Sequence, residues 1–481
     1  MQIFFTWPNL LVLEYYTIIL TGIPHENFAI IYSMAISQKK ALLAILTACP
    51  VLLLFGSWLF FTVNVPYWDD YEALLRYLTE PWPNRWSHLL DFHNEHRIVT
   101  TRLIADALVA LNAGTFNFRA MIAVGNLIQL AYVAVWVFTF RKSRLGIAAS
   151  LPVLWLLLSF IHYENSCWAL CSVQNVIVVA LSFAACLLFA KRNQSRFAFA
   201  GAMLCGVAAT FSSGGGLLVW PSLFAMELAE PITEAGSWRY GLANIIRHAK
   251  ASAARLSLLA IVAASSIGCY LHGFSGGTTE QVSGTAARVI NGTLFFIAFL
   301  GGIVPLYPAA LAFGVALLPL LVFIMIRYPQ IRHTEVFWFM AAEIATMLSA
   351  AVFRSSDPHA AVSSRYCIVS CSVFASIFFL GLEVVPLPEK LAKWGLVVAT
   401  CGVILYTTVF LVLASPLYAQ RNELMRRNLL TWPNHTEGLR SSSPESASEL
   451  LRKCVERGVY NPTSVLKPGE TPPKDPEPWL R

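Results

Sequence analysis

Residues 39–72 read KKALLAILTACPVLLLFGSWLFFTVNVPYWDDYE, and the reading of this stretch decides the fold. The 23 residues between Lys40 and Asn64 carry no charge. As a helix rising about 1.5 Å per residue they exceed the roughly 30 Å hydrocarbon core of a bilayer. Lys39 and Lys40 precede the run, so the positive-inside rule places them in the cytoplasm and Asn64 onward outside. The run has the character of a signal-peptide core, but its length and the apolar segments that follow make it a signal anchor. Residues 1–40 form an N-terminal segment. Met34 opens a short basic start and is the expected first residue, and residues 1–33 are assigned no function.

The rest of the 481 residues repeats this pattern, with 57% hydrophobic residues and a mean hydropathy of +0.60. Only 13% are charged, about half the share in ordinary soluble domains. This excludes a soluble globular enzyme and predicts an all-α polytopic membrane protein. The net charge of +7 lies in short basic clusters at the ends of apolar segments, where it orients helices and has no need of nucleic acid. Further spans are expected at 119–140, 145–161, 169–190, 197–212, 217–228, 253–271, 306–326, 336–353, 366–384 and 394–415. Counting 288–304 as a crossing would put Arg327, Arg332, Lys390 and Lys393 outside, so that segment is read as re-entrant or interfacial. The result is about 11 crossings within 41–415, with the N-terminus in and the C-terminus out. The first outer loop is 64–118, and the tail 416–481 carries a helical pattern at 449–457 before a Pro-rich, extended or disordered end. Ten cysteines are scattered without a CxxC; Cys167 with Cys171 and Cys367 with Cys371 read as helix packing.

On this topology the polar segments gather on the outer side. Asp69, Asp70 and Glu72 follow the first span closely, among the interfacial aromatics Trp68, Trp82 and Trp86. One Asp is expected to cap a helix over 71–78, which leaves the other as a general base whose proton affinity partial desolvation raises. Next comes Asp91-Phe92-His93-Asn94-Glu95-His96-Arg97, with a helix expected to begin near Asn94 and Arg102 to pair with Asp106. Asp91, His93 and His96 offer ligands to a divalent cation, although the spacing matches no strong motif; the same segment suits hydrogen bonding to sugar hydroxyls or phosphate. Arg97 and Arg102 can grip a phosphate bidentately. Gly214, Gly215 and Gly216 form either a tight turn between two short helices or a backbone cradle for phosphate. Arg354 and Arg365 bracket the last outer loop, and Arg365-Tyr366 opens a span at headgroup level.

The string Trp68-Asp69-Asp70, the later Asn94-Glu95-His96-Arg97, the segment 211–221 and Ser364-Arg365-Tyr366 together resemble the GT-C superfamily of polytopic glycosyltransferases, specifically uncharacterised bacterial members. The resemblance covers roughly residues 41–460. It implies a GT-C-like helical bundle in the bacterial inner membrane, with the active site on the periplasmic face and the catalytic acid, Asp69 or Asp70, in the first outer loop. It further implies an inverting enzyme that moves sugar from a polyprenyl-phosphate-linked donor to an envelope glycan or lipid acceptor. Substrate contacts are then expected from Glu72, His93, Asn94, Glu95, His96, Arg97, Arg102, Gly214, Gly215, Arg354, Arg365 and Tyr366. The competing reading is a transporter or flippase of lipid-linked saccharide. Such proteins show internal repeats and charges at the membrane midplane, and the charges here are read as lying outside.

Overall fold

The computed structural model describes residues 25–141, 143–234, 246–275, 284–432 and 436–466. The chain divides into two units, 1–52 and 53–481; of the first, the described part is helical from His25. Among the described residues nine helices are long and apolar enough to cross a membrane, three shorter apolar helices accompany them, and the one sheet is a two-stranded hairpin. The protein is therefore an all-α, multi-pass membrane protein.

Helix α1 is His25–Phe61, α2 is Val99–Leu111 and α3 is Phe118–Phe140. The third span, Gly146–Cys167, is broken into short 3-10 and α segments and runs past the expected 161. Carbonyls released at its breaks are taken up locally: Leu157 O accepts from Gln129 Nε2 at 2.6 Å and lies 2.9 Å from His162 Nε2. Such breaks are tolerated at membrane depth when buried in protein. Then follow α4 (Ala169–Phe189), α5 (Arg196–Thr210), α6 (Val219–Glu234), α7 (Ala253–Leu271), α8 (Thr285–Leu300), α9 (Tyr307–Arg327), α10 (Glu335–Phe353) and α11 (Ser364–Val384). The 43-residue α12 (Glu389–Thr431) continues well beyond 415, and α13 is Pro444–Glu456.

Helix α8 packs between α10 and α11. It passes Ala351 at Gly292, near the end of α10, and its last carbonyls meet the start of α11: Phe299 O accepts from Ser370 Oγ and Gly302 O from Cys367 Sγ. The chain then turns into α9, where Tyr307 stacks against His359 with ring centroids 4.1 Å apart. Two glycines allow the close antiparallel approach of α8 and α9. A Cβ on Gly301 would lie 1.9 Å from Ala310 O, and one on Gly314 2.0 Å from Ile297 O. Small residues serve this purpose wherever apolar helices pack without a hydrophobic driving force.

One end of the bundle carries a cap. Tyr71, Leu74, Leu75 and Leu78 of the first loop share one core with Trp432, Leu450, Leu451, Cys454 and Tyr460 of the tail. Phe116 N donates to Val459 O, and Asn64 Nδ2 to Ser464 Oγ. The tail is thus packed as far as Leu466, and the Pro-rich ending from Pro468 lies outside the described residues. Sequence reading missed this docking because the contacts join segments nearly 400 residues apart. The opposite, basic end is tied by buried Glu227, which accepts from Arg192 and Arg255. Glu343, 4% exposed in α10, is a carboxyl within a span, which corrects the reading that the charges lie outside.

Candidate functional site

The seven-residue string 91–97 folds as a hairpin, not as a helix start. Strands β1 (Phe92–His93) and β2 (His96–Arg97) pair antiparallel around Asn94-Glu95, and α2 starts only at Val99. Asn94 takes φ of +51°, a left-handed conformation that Asn tolerates because its short side chain bonds locally. The hairpin is held by the cap ends of three other segments. Arg97 Nε donates to Tyr270 O at 2.7 Å, a second guanidinium nitrogen donates to His272 O, and the guanidinium carbon sits 4.1 Å from the Phe92 ring centroid. Gly214 N donates to His96 Nδ1 at 3.3 Å. Arg354 donates to Glu95.

These anchors correct several expectations. Arg97 is buried and its guanidinium occupied by carbonyls, so it is not a phosphate clamp. Arg102 donates to the carbonyls of His88, Leu89 and Asp91, and Asp106 pairs with Arg85 at 2.9 Å instead. The Gly214 N–H is committed to His96, and Gly215 O accepts from Thr346 Oγ1. A Cβ at Gly214 would stand 3.2 Å from His96 and the Tyr270 hydroxyl, so close packing requires glycine there, and Gly214 and Gly215 line the smaller cavity described below. Asp91 lies 2.7 Å from His88 Nδ1, away from His96. Among the described residues no three His, Cys, Asp or Glu side chains gather as metal ligands.

The adjacent aspartates separate. Asp70, 1% exposed, accepts from Leu170 N at 3.0 Å through one oxygen and from Tyr67 N at 3.1 Å through the other. It therefore stitches the first loop to the start of α4, and neither Asp side chain caps the following helical turn. Burial pushes its carboxyl up to about 8, against the pull of the two N–H donors. Asp69 instead lines a polar cavity of about 610 Å³.

Around that cavity stand Trp68, His93, Asn94, Glu95 and His96 from the first loop. Glu164, Trp168, Gln174 and Asn175 come from the third and fourth spans, and Arg354, Arg365 and Tyr366 from α10 and α11. Sequence reading had not singled out Glu164, Gln174 or Asn175 as site residues, although two amides in an otherwise apolar span were the available signal. Glu164 fixes the start of α11: it accepts from Ser364 Oγ at 2.8 Å and Arg365 N at 3.0 Å, while Asn165 and Asn175 donate to Arg365 O. The Arg365 backbone is thus fully held. Its guanidinium receives no hydrogen-bond acceptor among the described residues, and its buried Nε has no partner. Arg354, by contrast, is engaged with Glu95. Burial would raise the Glu95 carboxyl, but His96 and Arg354 outweigh it and hold it below the usual range. Burial pushes His96 down to about 4 and lowers His93, so both imidazoles are neutral at neutral pH. Glu72 is outside this cavity and pairs with Arg76.

A second cavity of about 190 Å³ opens beside the first and shares Glu95, His96, Asn175, Phe353, Arg354, Arg365 and Tyr366 with it. Its remaining wall is largely apolar, with Leu217, Leu271, Phe274, Phe299 and Val369 contributed from α7, α8, α11 and the segments beside them. The arrangement offers a carboxylate and an unpaired guanidinium around a polar chamber that continues into an apolar one. Comparison with protein-family models, curated proteins and solved structures finds no match to the chain.

Proposed function

We propose that the protein is an inverting glycosyltransferase of the GT-C type, which takes sugar from a polyprenyl-phosphate-linked donor and passes it to a glycan or lipid acceptor at the periplasmic face of a bacterial inner membrane. The observation that carries this reading is the placing of Asp69 and Arg365 in the wall of one polar cavity that leads into an apolar one. A lipid-linked phosphosugar has the same division: an isoprenoid chain suits the apolar chamber, and phosphate and sugar suit the polar one.

Asp69 is then the general base. It removes the proton of the acceptor hydroxyl as that oxygen bonds to the anomeric carbon, and the bond from that carbon to the phosphate oxygen breaks on the opposite face. Arg365 offsets the charge that develops on the departing lipid phosphate. A backbone fixed by Glu164, Asn165 and Asn175 prepares that guanidinium in advance. Glu95 holds Arg354 at the junction of the two chambers, and neutral His96 fixes the hairpin tip. Arg365→Ala is expected to raise the donor KM at least about tenfold, the loss of one charge-assisted contact to phosphate, with acceptor KM little changed. Equal donor constants in wild type and variant would remove Arg365 from the donor site.

A second reading, movement of intact lipid-linked saccharide, is favoured by Glu343, since carboxyls buried in spans commonly mark transport pathways. The polar cavity, however, is lined mainly by residues of the first loop and the helix ends beside it, where transfer needs them.

A further inference from the structure

Beside the polar cavity the cap holds another, of about 770 Å³, and the two share His93 and Asn94. Its volume lies within the roughly 300–1,000 Å³ of ordinary small-molecule sites. One wall is the first loop, with Glu72, Arg76 and Glu80; the facing wall is the tail helix α13, with Glu449, Lys453 and Arg457. Acids and bases are mixed on both walls, and Glu72 pairs with Arg76 as Glu449 does with Lys453. A polyanion or a polycation would meet repulsion as often as attraction on such a surface. Hydroxyl groups both donate and accept, so they find partners at every position. Arg76 and Lys453 are held by exposed partners one helical turn away, pairs weak enough to open for a ligand. The aromatic rings of the groove, Tyr77 and Phe92, already carry the guanidinium groups of Arg102 and Arg97 against them, so stacking is a lesser part of its chemistry.

We propose that this groove binds the acceptor, an oligosaccharide of at least two sugar residues without net charge, and delivers its terminal hydroxyl past His93 and Asn94 to Asp69. The assignment rests on the glycosyl-transfer reading above. The oxygen of that terminal hydroxyl forms the new bond to the anomeric carbon, its proton passes to Asp69, and the electron pair of the broken bond leaves with polyprenyl phosphate. The tail helix is thereby part of the acceptor site, which explains why the tail folds back over the first loop.

Native mass spectrometry of the full chain in nanodiscs tests this, with a mixture of neutral di- to tetrasaccharides as the probe and size-matched heparin oligosaccharides and a charge-balanced tetrapeptide beside it. Wild type is expected to retain neutral oligosaccharides. The double variant Arg76→Ala with Lys453→Ala is expected to bind them at least tenfold more weakly. Both side chains are exposed, and an unchanged thermal midpoint of the double variant shows that its fold is intact. The assignment is overturned if no neutral oligosaccharide binds, if heparin or peptide is preferred, or if the double variant binds as wild type does. Donor cleavage, measured separately, distinguishes the two claims. A protein that cleaves donor but ignores the groove substitutions loses only the groove assignment. One that holds oligosaccharide in the groove yet leaves donor intact loses the transfer reading.

Discussion

Two neighbouring carboxyls in the cap differ in what their oxygens already hold. Asp70 uses both, one on Leu170 N and one on Tyr67 N, whereas Asp69 borders the polar cavity. The raised proton affinity belongs to Asp70, so a perturbed pKa alone points to the carboxyl whose oxygens are both engaged. Asp69→Asn is expected to lower transfer at least about a hundredfold, as loss of a general base does, with an unchanged thermal midpoint. Asp70→Asn offers one oxygen where two N–H groups need acceptors, and leaving one unsatisfied costs about 1–3 kcal/mol; its midpoint is expected to fall. Wild-type transfer by Asp69→Asn would remove it as base. His96 gives a second test. Its folded pKa is depressed from 6.5 to about 4, so its contribution is complete above about pH 6.5 and is lost as pH falls through 4. The Glu95 carboxyl, held below its usual range, acts in the same direction at lower pH. The midpoint is thus expected to be level above pH 6.5 and to decline below it, less steeply in His96→Gln; equal slopes in the two proteins would contradict the half-buried neutral imidazole. The presence of an acid pair was legible in the sequence. The division of labour was not, because it depends on Leu170, 100 residues away.

At the scale of elements, the hairpin Phe92–Arg97 orders the site. Its strands are two residues each, too short for any periodicity to show, and its charges invited a reading as ligand contacts. What fixes it are carbonyls at Tyr270 and His272, exposed at the end of α7, where the last turn of a helix leaves such groups unpaired. Arg97→Lys keeps the charge but cannot span both carbonyls. A loss of about 1–3 kcal/mol, the scale of hydrogen bonds involving a charged group, is expected to lower the thermal midpoint while the donor KM stays at the wild-type value. A raised donor KM with an unchanged midpoint would return Arg97 to the phosphate. The long apolar helices were readable because length and composition suffice for them. The break at 158–162 and the packing of the end of α8 on α11 depend on packing partners, which composition does not reveal.

Across the whole molecule, a helical bundle carries one cap made from sequence-distant parts, the first loop and the tail, and the two chambers lie beneath and beside the hairpin that joins cap to bundle. Apolar lengths made the bundle legible; the cap was legible only in its separate helical segments, since nothing local in the tail reveals its packing on Tyr71 and Leu75. Glu343 in α10 keeps transport in view as the rival activity. The two activities differ in whether the bond between sugar and phosphate survives. Purified protein in proteoliposomes that contain polyprenyl phosphate bearing a radiolabelled sugar, supplied with an envelope glycan fraction, separates them in one measurement. With wild type, label is expected to leave the lipid and appear on acceptor with inverted anomeric configuration, and with Asp69→Asn to remain on the lipid. Label that crosses the bilayer still joined to its lipid, equally in both proteins, would contradict the assignment.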